Sequence, residues 1–527
     1  MEKDIKVITS DQITEAVFNL CNQANIYIPK DIYNAILESY HKEESPRSKY
    51  ILWQILENVR LASTSRRPIC QDTGMVVAFV EIGQNAYIDG DLLEVAINKG
   101  VEKSYRENCF RKSIVDEPIF SRTNTGNNTP AIIHTKIVSG NAIKIEISVK
   151  GCGSENMSAA RMLKPSSGVE GIIDFVLETV KNAGANPCPP IRLGIGIGGT
   201  LEHSALLSKK ALLKPIRSED FLLNLCYAGI QATKVSMRNA TDAYFPNTPS
   251  VQNIPSDVEL WNPTAYSDKI AKLELEILKK VNKLNIGPSG LGGSTTVFGV
   301  NILSYPTHIA ALPVTVNINC HASRHASAKI HESKIEYNFD NFQYDFASVS
   351  ESNDKVKILN TDDIEGIRAL KIGDIVHLNG YIYTARDAAH KKLVECINKG
   401  EDFPIDIKDK IIYYVGPCPP KENEIIGPSG PTTSTRMDKY APILMEYGLL
   451  GSIGKGQRLE TVVKSIKENK SIYFCATGGA ACLLQEKIKE AQVVAYPELG
   501  PEAIYKLKIE NFPVIAAIDT DGNNIFS

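Results

Sequence analysis

A chain of 527 residues exceeds what one compact core holds, so two to four domains are expected. With 43% hydrophobic and 23% charged residues the composition is that of an ordinary globular protein, and a net charge of -3 excludes an electrostatic pull toward nucleic acid or an anionic membrane. No apolar run is long enough to span a bilayer, and the charged start Met1-Glu2-Lys3-Asp4 leads into no hydrophobic signal core, so a cytoplasmic location is expected.

The chain opens with helical spacing. Ser10 is the expected cap of a first helix carrying Ile13, Val17, Leu20 and Cys21; further helices are expected over Asp31–Tyr40 and Lys49–Leu61. Met75–Ile82 reads as a buried strand and Gly90–Arg106 as a helix. Ala131–Val138 and Ile143–Val149 read as strands paired through a Ser139-Gly140-Asn141 turn. Gly168–Lys181 is the clearest amphipathic helix, and Ile191–Ile197 is the next strand. Residues 220–268, rich in asparagine and proline, read as an irregular excursion; Leu273–Leu284 returns to helix, and strand Val314–Ile318 leads into Cys320. Residues 336–354 read as a linker. Beyond it, Asn379-Gly380 is a two-residue hairpin signal between Asp374–Leu378 and Tyr381–Thr384. Helices at Asp387–Lys399 and Leu459–Lys467 alternate with strands at Ile411–Val415, Ile472–Cys475 and Val514–Ile518. The fold class is α/β with α+β elements, in two domains: 1–335 and 355–527, joined by 336–354.

The 11 cysteines are odd in number and thinly spread through a long chain with no secretion signal, so no disulfide framework is expected. Cys21, Cys226, Cys396, Cys475 and Cys482 stand among aliphatic residues and are expected to pack. Cys70, in Cys70-Gln71-Asp72-Thr73-Gly74, has an amide, a carboxylate and a hydroxyl beside it. Cys188 (Pro187-Cys188-Pro189-Pro190) and Cys320 (Asn319-Cys320-His321) have similar settings at element edges. Three thiolates suffice to hold a [4Fe–4S] cluster while leaving one iron open as a Lewis acid. Cys109, Cys152 and Cys418 compete for the ligand positions. Arg386, at the start of a helix, the run Gly430–Asp438 with Thr432 and Arg436, Lys455 between two glycines, and Arg111 are candidate holders of a small dianion. His308 is the candidate polar contact, to be brought near Cys320 by the strand between them. The run Gly194-Ile195-Gly196-Ile197-Gly198-Gly199 formally matches a pyrophosphate-binding loop and keeps a nicotinamide-dependent oxidoreductase in play.

These motifs, in this order, resemble the class I fumarate hydratases, the oxygen-sensitive iron–sulfur type. The likeness rests on Cys70–Gly74, Cys188-Pro189-Pro190, Asn317–Arg324, Arg386–His390, Gly430–Asp438, Tyr496–Gly500 and Glu502–Ile504, and it covers nearly the whole chain. The resemblance implies the α and β halves of two-subunit members fused in one polypeptide that forms a homodimer. It implies a [4Fe–4S] cluster on Cys70, Cys188 and Cys320. The implied substrate contacts are Gln71, Asp72, Arg111, Gly153, His308, Arg386, Thr432, Arg436 and Lys455, with Thr432 as base and Asp72 assisting. The implied reaction is hydration of fumarate to L-malate, a small dicarboxylate pair, with no nucleic acid or membrane partner. L-Tartrate dehydratase is the nearest alternative, and a non-catalytic cluster sensor a more distant one. Two departures stand out: the length of 220–268, and Cys152 in Gly151-Cys152-Gly153 where some members carry glycine.

Overall fold

The computed structural model describes residues 5–216, 263–339, 344–351 and 355–527. In chain order the first part contains β1 (Lys6–Thr9), α1 (Ser10–Ile26), α2 (Lys30–Lys42), α3 (Pro46–Ser65), β2 (Met75–Gly83), β3 (Ala86–Asp89), α4 (Leu93–Glu107), β4 (Ile132–Val138) and β5 (Ile143–Lys150). Then come α5 (Cys152–Glu155), β6 (Ala159–Leu163), α6 (Gly168–Ala183), β7 (Ile191–Gly198), α7 (Leu201–Ala211), α8 (Pro263–Asn282), β8 (Val297–Tyr305), β9 (Leu312–Asn319), β10 (His325–Ile330) and β11 (Ile335–Tyr337). The irregular reading of 220–268 falls outside the described residues as far as residue 262; from Pro263 the chain is already helix.

The true cap of α1 is Thr9 rather than Ser10. Its hydroxyl accepts from the Gln12 N–H at 3.2 Å while the Gln12 side chain accepts from the Thr9 N–H at 2.9 Å, a reciprocal box that satisfies two free backbone donors. The expected hairpin of β4 and β5 does not form. β2 lies between them, parallel to β4 and antiparallel to β5, in a five-stranded sheet ordered β11-β10-β5-β2-β4. The near-continuous apolar run of β2 explains this, because a strand buried on both faces belongs in the middle of a sheet. A second sheet, β6-β9-β7-β8, sets β7 antiparallel to β9, with Arg192 opposite Asn319. The segments carrying Cys188 and Cys320 therefore leave that sheet at the same end.

The second part contains β12 (Lys357–Asn360), α9 (Ile364–Arg368), β13 (Ile375–Thr384), α10 (Asp387–Lys399), β14 (Ile411–Tyr413), α11 (Ala441–Glu446), β15 (Gly451–Gly454), α12 (Glu460–Asn469), β16 (Ile472–Cys475), α13 (Ala481–Glu486), β17 (Ile488–Ala495) and β18 (Ile504–Ile518). Its seven strands form one sheet in which β18 pairs with both β16 and β13, so β13, β14, β15, β16 and β18 close into a ring. Asn379-Gly380 is not a hairpin. β13 runs straight through it with a bulge, Gly380 at φ +116°, because β12 and β18 supply partners on either side. The Asn379 side chain accepts from the Asn511 N–H at 2.9 Å, which ties the bulge to the middle of β18.

The two parts share a core. Ile32, Ile36, Leu52, Ile55 and Val59 of α2 and α3 pack in one apolar cluster with Ile375, Ala441, Val462, Tyr473 and Ile515. A continuous apolar seam of this kind resembles a domain interior more than a transient contact. The stretch read as a linker is likewise engaged. β11 reaches Tyr337, and residues 344–351 lie along α2: the Tyr344 ring packs 5.0 Å from that of Tyr33, and the Tyr40 hydroxyl donates to the Ser350 carbonyl at 3.0 Å.

The run Gly194–Gly199 spans the end of β7 and the turn into α7. The bare α-carbons of Gly194 and Gly196 lie against backbone of α7, Gly198 against the Tyr305 carbonyl and Gly199 against the His203 ring. The glycines serve helix-on-strand packing, and no phosphate cradle is formed. Gly196→Ala would drive a methyl into the Ser204 carbonyl; the expected result is a loss of about 1–3 kcal/mol, read as a lowered midpoint in thermal unfolding. An unchanged midpoint would refute this packing argument.

Candidate active site

Three loops of the first domain converge. Cys70, Gln71 and Asp72 lie between α3 and β2; Cys188 precedes β7 in a left-handed conformation, φ +60°; Cys320 follows β9 directly. Cys188 is buried, and Cys70 and Cys320 are partly so. Burial pushes the Cys70 thiol up to about 11 against the pull of Arg324, and Asp72 and the sulfurs of Cys320 and Cys188 add to the rise. Burial also holds the Cys188 thiol above its usual range, opposed by Lys455, with Cys320 again raising it. The three thiols thus feel one another, and two cations stand over them. The Lys455 ammonium donates to Cys188 Sγ at 2.8 Å and to the Asn186 carbonyl at 3.2 Å. The Arg324 guanidinium is 2% exposed and donates to Asn25 Oδ1 at 3.3 Å.

Asp72 is pinned from three sides. Its Oδ1 accepts from the Gly74 N–H at 3.1 Å, its Oδ2 from the Cys152 N–H at 3.0 Å, and Arg111 Nη2 stands 3.3 Å from Oδ1. Burial alone would raise this carboxyl, but Arg111, Arg324 and the two N–H groups hold it below the ordinary carboxylate range. Arg111 also donates to the Gly416 carbonyl of the second domain at 3.1 Å.

The second domain brings the remaining cations. Arg386, the residue before α10, is mostly buried and lies against Gly416. Burial pushes it down to about 10, with Glu502 pulling upward and Arg111 and Arg436 pushing further down. Three guanidinium groups from two domains therefore share one field. Glu502 and Asp387 balance it: Glu502 Oε1 lies 3.2 Å from Arg386 Nη2, and Arg436 makes a two-pronged pair with Asp387 at 3.0 and 2.5 Å. Thr432 is buried, its N–H donating to the Tyr414 carbonyl at 2.7 Å and its carbonyl accepting from the Lys455 N–H at 3.3 Å. Gln71 reaches across to the Pro431 carbonyl at 3.2 Å. Gly153, in α5, faces Lys455: a Cβ there would lie 3.2 Å from Nζ.

Cys70, Cys188, Cys320, Gln71, Asp72, Arg111, Gly153, Arg386, Thr432, Arg436 and Lys455 are thus linked, through contacts or mutual electrostatic influence, into one neighbourhood. His308 is not part of it. It sits exposed in the loop between β8 and β9, at the opposite end of β9 from Cys320. Eight strand residues put roughly 26 Å between those ends, so the intervening strand holds the two apart, contrary to the expectation above. Among the competing cysteines, Cys418 is buried and its thiol donates to the Gln71 carbonyl at 3.4 Å; Cys152 is exposed beside Asp72; Cys109 ends the α4 turn.

Several residues at this site escaped the sequence reading. Gly478 and Gly479, after β16, press onto the first domain: a Cβ on Gly478 would lie 2.5 Å from Cys188 Sγ, and one on Gly479 2.6 Å from the His321 ring. A Gly-Gly pair two residues beyond a buried strand is the signal that could have found them. His321 is fully buried, its Nδ1 facing the Cys188 carbonyl at 3.2 Å; burial drives it down to about 4 against that bond, so it stays neutral. Lys150, buried, bonds the Ile318 carbonyl behind Cys320, and burial lowers it to about 8 while Glu155 opposes the fall.

Residues 14–329 match the family described as Fumarate hydratase (Fumerase), and residues 327–527 match the one described as Fumarase C-terminus. The chain belongs to the fumarate hydratase family. It is 31% identical to "Fumarate hydratase class I, anaerobic" of Escherichia coli K12 over 92% of this chain and 84% of that one. It is 28% identical to "Fumarate hydratase 2" of Leishmania major over 92% of this chain and 81% of that protein. "Putative L(+)-tartrate dehydratase subunit alpha" of Methanocaldococcus jannaschii is 38% identical over 60% of this chain and 98% of its own length. Membership of the family makes the chain a hydro-lyase. None of its described helices is long and apolar enough to cross a membrane.

Because the Asp72 carboxyl is held below its unfolded value of about 4, its contribution to stability is complete above that pH and fades as the pH falls toward the folded value. Asp72→Asn should therefore lie below the parent in urea midpoint near neutrality and approach it in acid. A gap that stays constant down to about pH 3 would contradict the pairing.

Proposed function

We propose that this chain catalyses the reversible hydration of fumarate to L-malate with a [4Fe–4S] cluster held by Cys70, Cys188 and Cys320. The supporting observation is the meeting of three mutually coupled thiols with a cationic wall, Arg111, Arg386, Arg436 and Lys455, drawn from both domains. The donor set fits the group. Among the described residues no three His, Cys, Asp or Glu side chains converge as a single metal ion requires; a four-iron cube asks instead for separate thiolates, each on its own iron. Lys455 and Arg324 supply positive charge where thiolates must be held. Bound there, such a cluster offers a Lewis acid at the iron that lacks a protein ligand.

The protein's own part is to bind, orient and move a proton. The two carboxylates of the substrate match the four cations Arg111, Arg386, Arg436 and Lys455. These cations stabilise the negative charge that grows on a carboxylate as the neighbouring carbon loses its proton. Thr432 is the base in this reading, its backbone strapped between the Tyr414 carbonyl and the Lys455 N–H. Asp72, committed to two N–H groups and Arg111, assists by fixing Arg111. L-Tartrate dehydration is the second reading, favoured by the identity of the first domain to the Methanocaldococcus jannaschii subunit.

Anaerobic purification with iron and sulfide analysis, beside assays on fumarate, malate, tartrate and mesaconate, tests the proposal. Cys70→Ser should lose both the brown colour and turnover, and Thr432→Ala should lower kcat at least about 100-fold with the colour intact. A Cys70→Ser protein with both preserved removes the cluster, and a Thr432→Ala protein with normal turnover removes the base.

The reading includes a homodimer. For His308 to touch substrate, a second copy must supply it, given its place at the far end of β9. Co-expression of His308→Ala with Cys70→Ser should then restore activity that neither variant has alone. Failure of the mixture to recover any turnover would leave His308 outside the chemistry.

A further inference from the structure

Among the polar side chains at which the domains meet, one lies deep in the apolar seam. Asn58, on α3 of the first domain, is 1% exposed. Its Nδ2 donates to the Ile69 carbonyl at 2.9 Å and to the Gly479 carbonyl at 3.0 Å. Its Oδ1 accepts from the N–H groups of Cys482 and Leu483, at 2.8 and 3.1 Å. Two donors and two acceptors are a full complement for an amide that faces no water. The orientation is unambiguous, because rotating the amide by half a turn would set like against like in all four contacts.

The four partners are not arbitrary. Ile69 precedes Cys70. Gly479 lies on His321, and its neighbour Gly478 lies against both Cys188 and Lys455, where a Cβ would stand 2.5 Å from Sγ and 3.1 Å from Lys455 Cδ. Cys482 and Leu483 open α13, whose first-turn N–H groups have no partner within the helix. One side chain thus joins the Cys70 loop of the first domain to the glycine loop of the second. An apolar residue at this point would leave four buried backbone groups without partners, the costly case for a hydrogen-bonding group.

Resting on the function proposed above, we infer that Asn58 is a positioning residue: it sets the second domain's clamp in register with the first domain's thiols. Support and positioning have different signatures here. All three thiols lie on the first domain, whereas Arg386, Thr432, Arg436 and Lys455 lie on the second. Loosening this joint leaves the cluster ligands on one rigid unit and misplaces the groups that hold the dicarboxylate.

The test is Asn58→Ala and Asn58→Asp in the full chain, purified anaerobically. Asn58→Asp keeps both acceptor bonds and opposes the two carbonyls, so it also serves where the alanine variant does not fold. Expected are a KM for fumarate raised at least tenfold, iron and sulfide per chain equal to the parent, and amide hydrogen exchange at Cys482 and Leu483 faster than in the parent. Unchanged KM and exchange in the variants overturn the proposal. So does a loss of iron with an unchanged KM in the loaded fraction, which would make Asn58 a support of the Cys70 loop alone. If the parent chain itself binds no cluster or turns over no dicarboxylate, the functional reading fails, and the exchange rates still decide whether Asn58 joins the two loops.

Discussion

The site depends on a bare glycine backbone meeting two side chains with nothing between them. Gly478 and Gly479 bring the second domain onto Cys188 and His321 at distances that no side chain would allow. Everything polar at the junction follows from that approach. Lys455 reaches the Cys188 sulfur, Gln71 reaches Pro431, and Arg111 reaches Gly416, each a first-domain group on a second-domain one or the reverse. The apolar seam of α2 and α3 against the closed strand ring supplies the attraction, and the glycines determine how close it can bring the two units.

Charge is arranged around this junction with some care for its cost. Guanidinium groups gathered from two domains repel one another, and burial works against Arg386 in particular. Glu502 and Asp387 answer Arg386 and Arg436 on their outer sides, while Asp72 answers Arg111. The carboxylates hold the guanidinium planes in place and keep the local net charge from rising further. Behind the thiols the same balance recurs with opposite signs. Lys150 sits between Glu155 and the backbone leading to Cys320, and Arg324 is enclosed near Cys70 and Cys320.

Much of this was legible in the residues themselves. Cys70, Cys188 and Cys320, read from their polar, turn-prone settings, fall in one neighbourhood, and Cys21, Cys475 and Cys482 are buried as expected, while Cys226 lies outside the described residues. Arg386 at a helix start and Thr432 and Arg436 in a loop were marked by their surroundings. What failed was pairing at long range. The turn at Ser139–Asn141 suggested that its flanking strands were neighbours, yet β2, about sixty residues earlier, claims the place between them. Asn379-Gly380 looked like a hairpin because its partner β18 lies more than a hundred residues away. His308 was misplaced by treating a strand as a bridge when an extended segment is a spacer. Asn58 carries no local mark, since a polar residue on a helix reads as surface until the second domain is known to cover it.

The segment 344–351 that joins the halves lies along α2, and its Tyr344, Phe346 and Val349 pack against the same apolar cluster that holds α3 to the strand ring. Most of the recognition between the halves is nevertheless written into the faces of α2, α3 and the strand ring, and the connecting chain adds a high local concentration to its own few apolar contacts. A protein built this way loses little information if its gene is divided at the tether, and a pair of separate subunits loses little if their genes fuse.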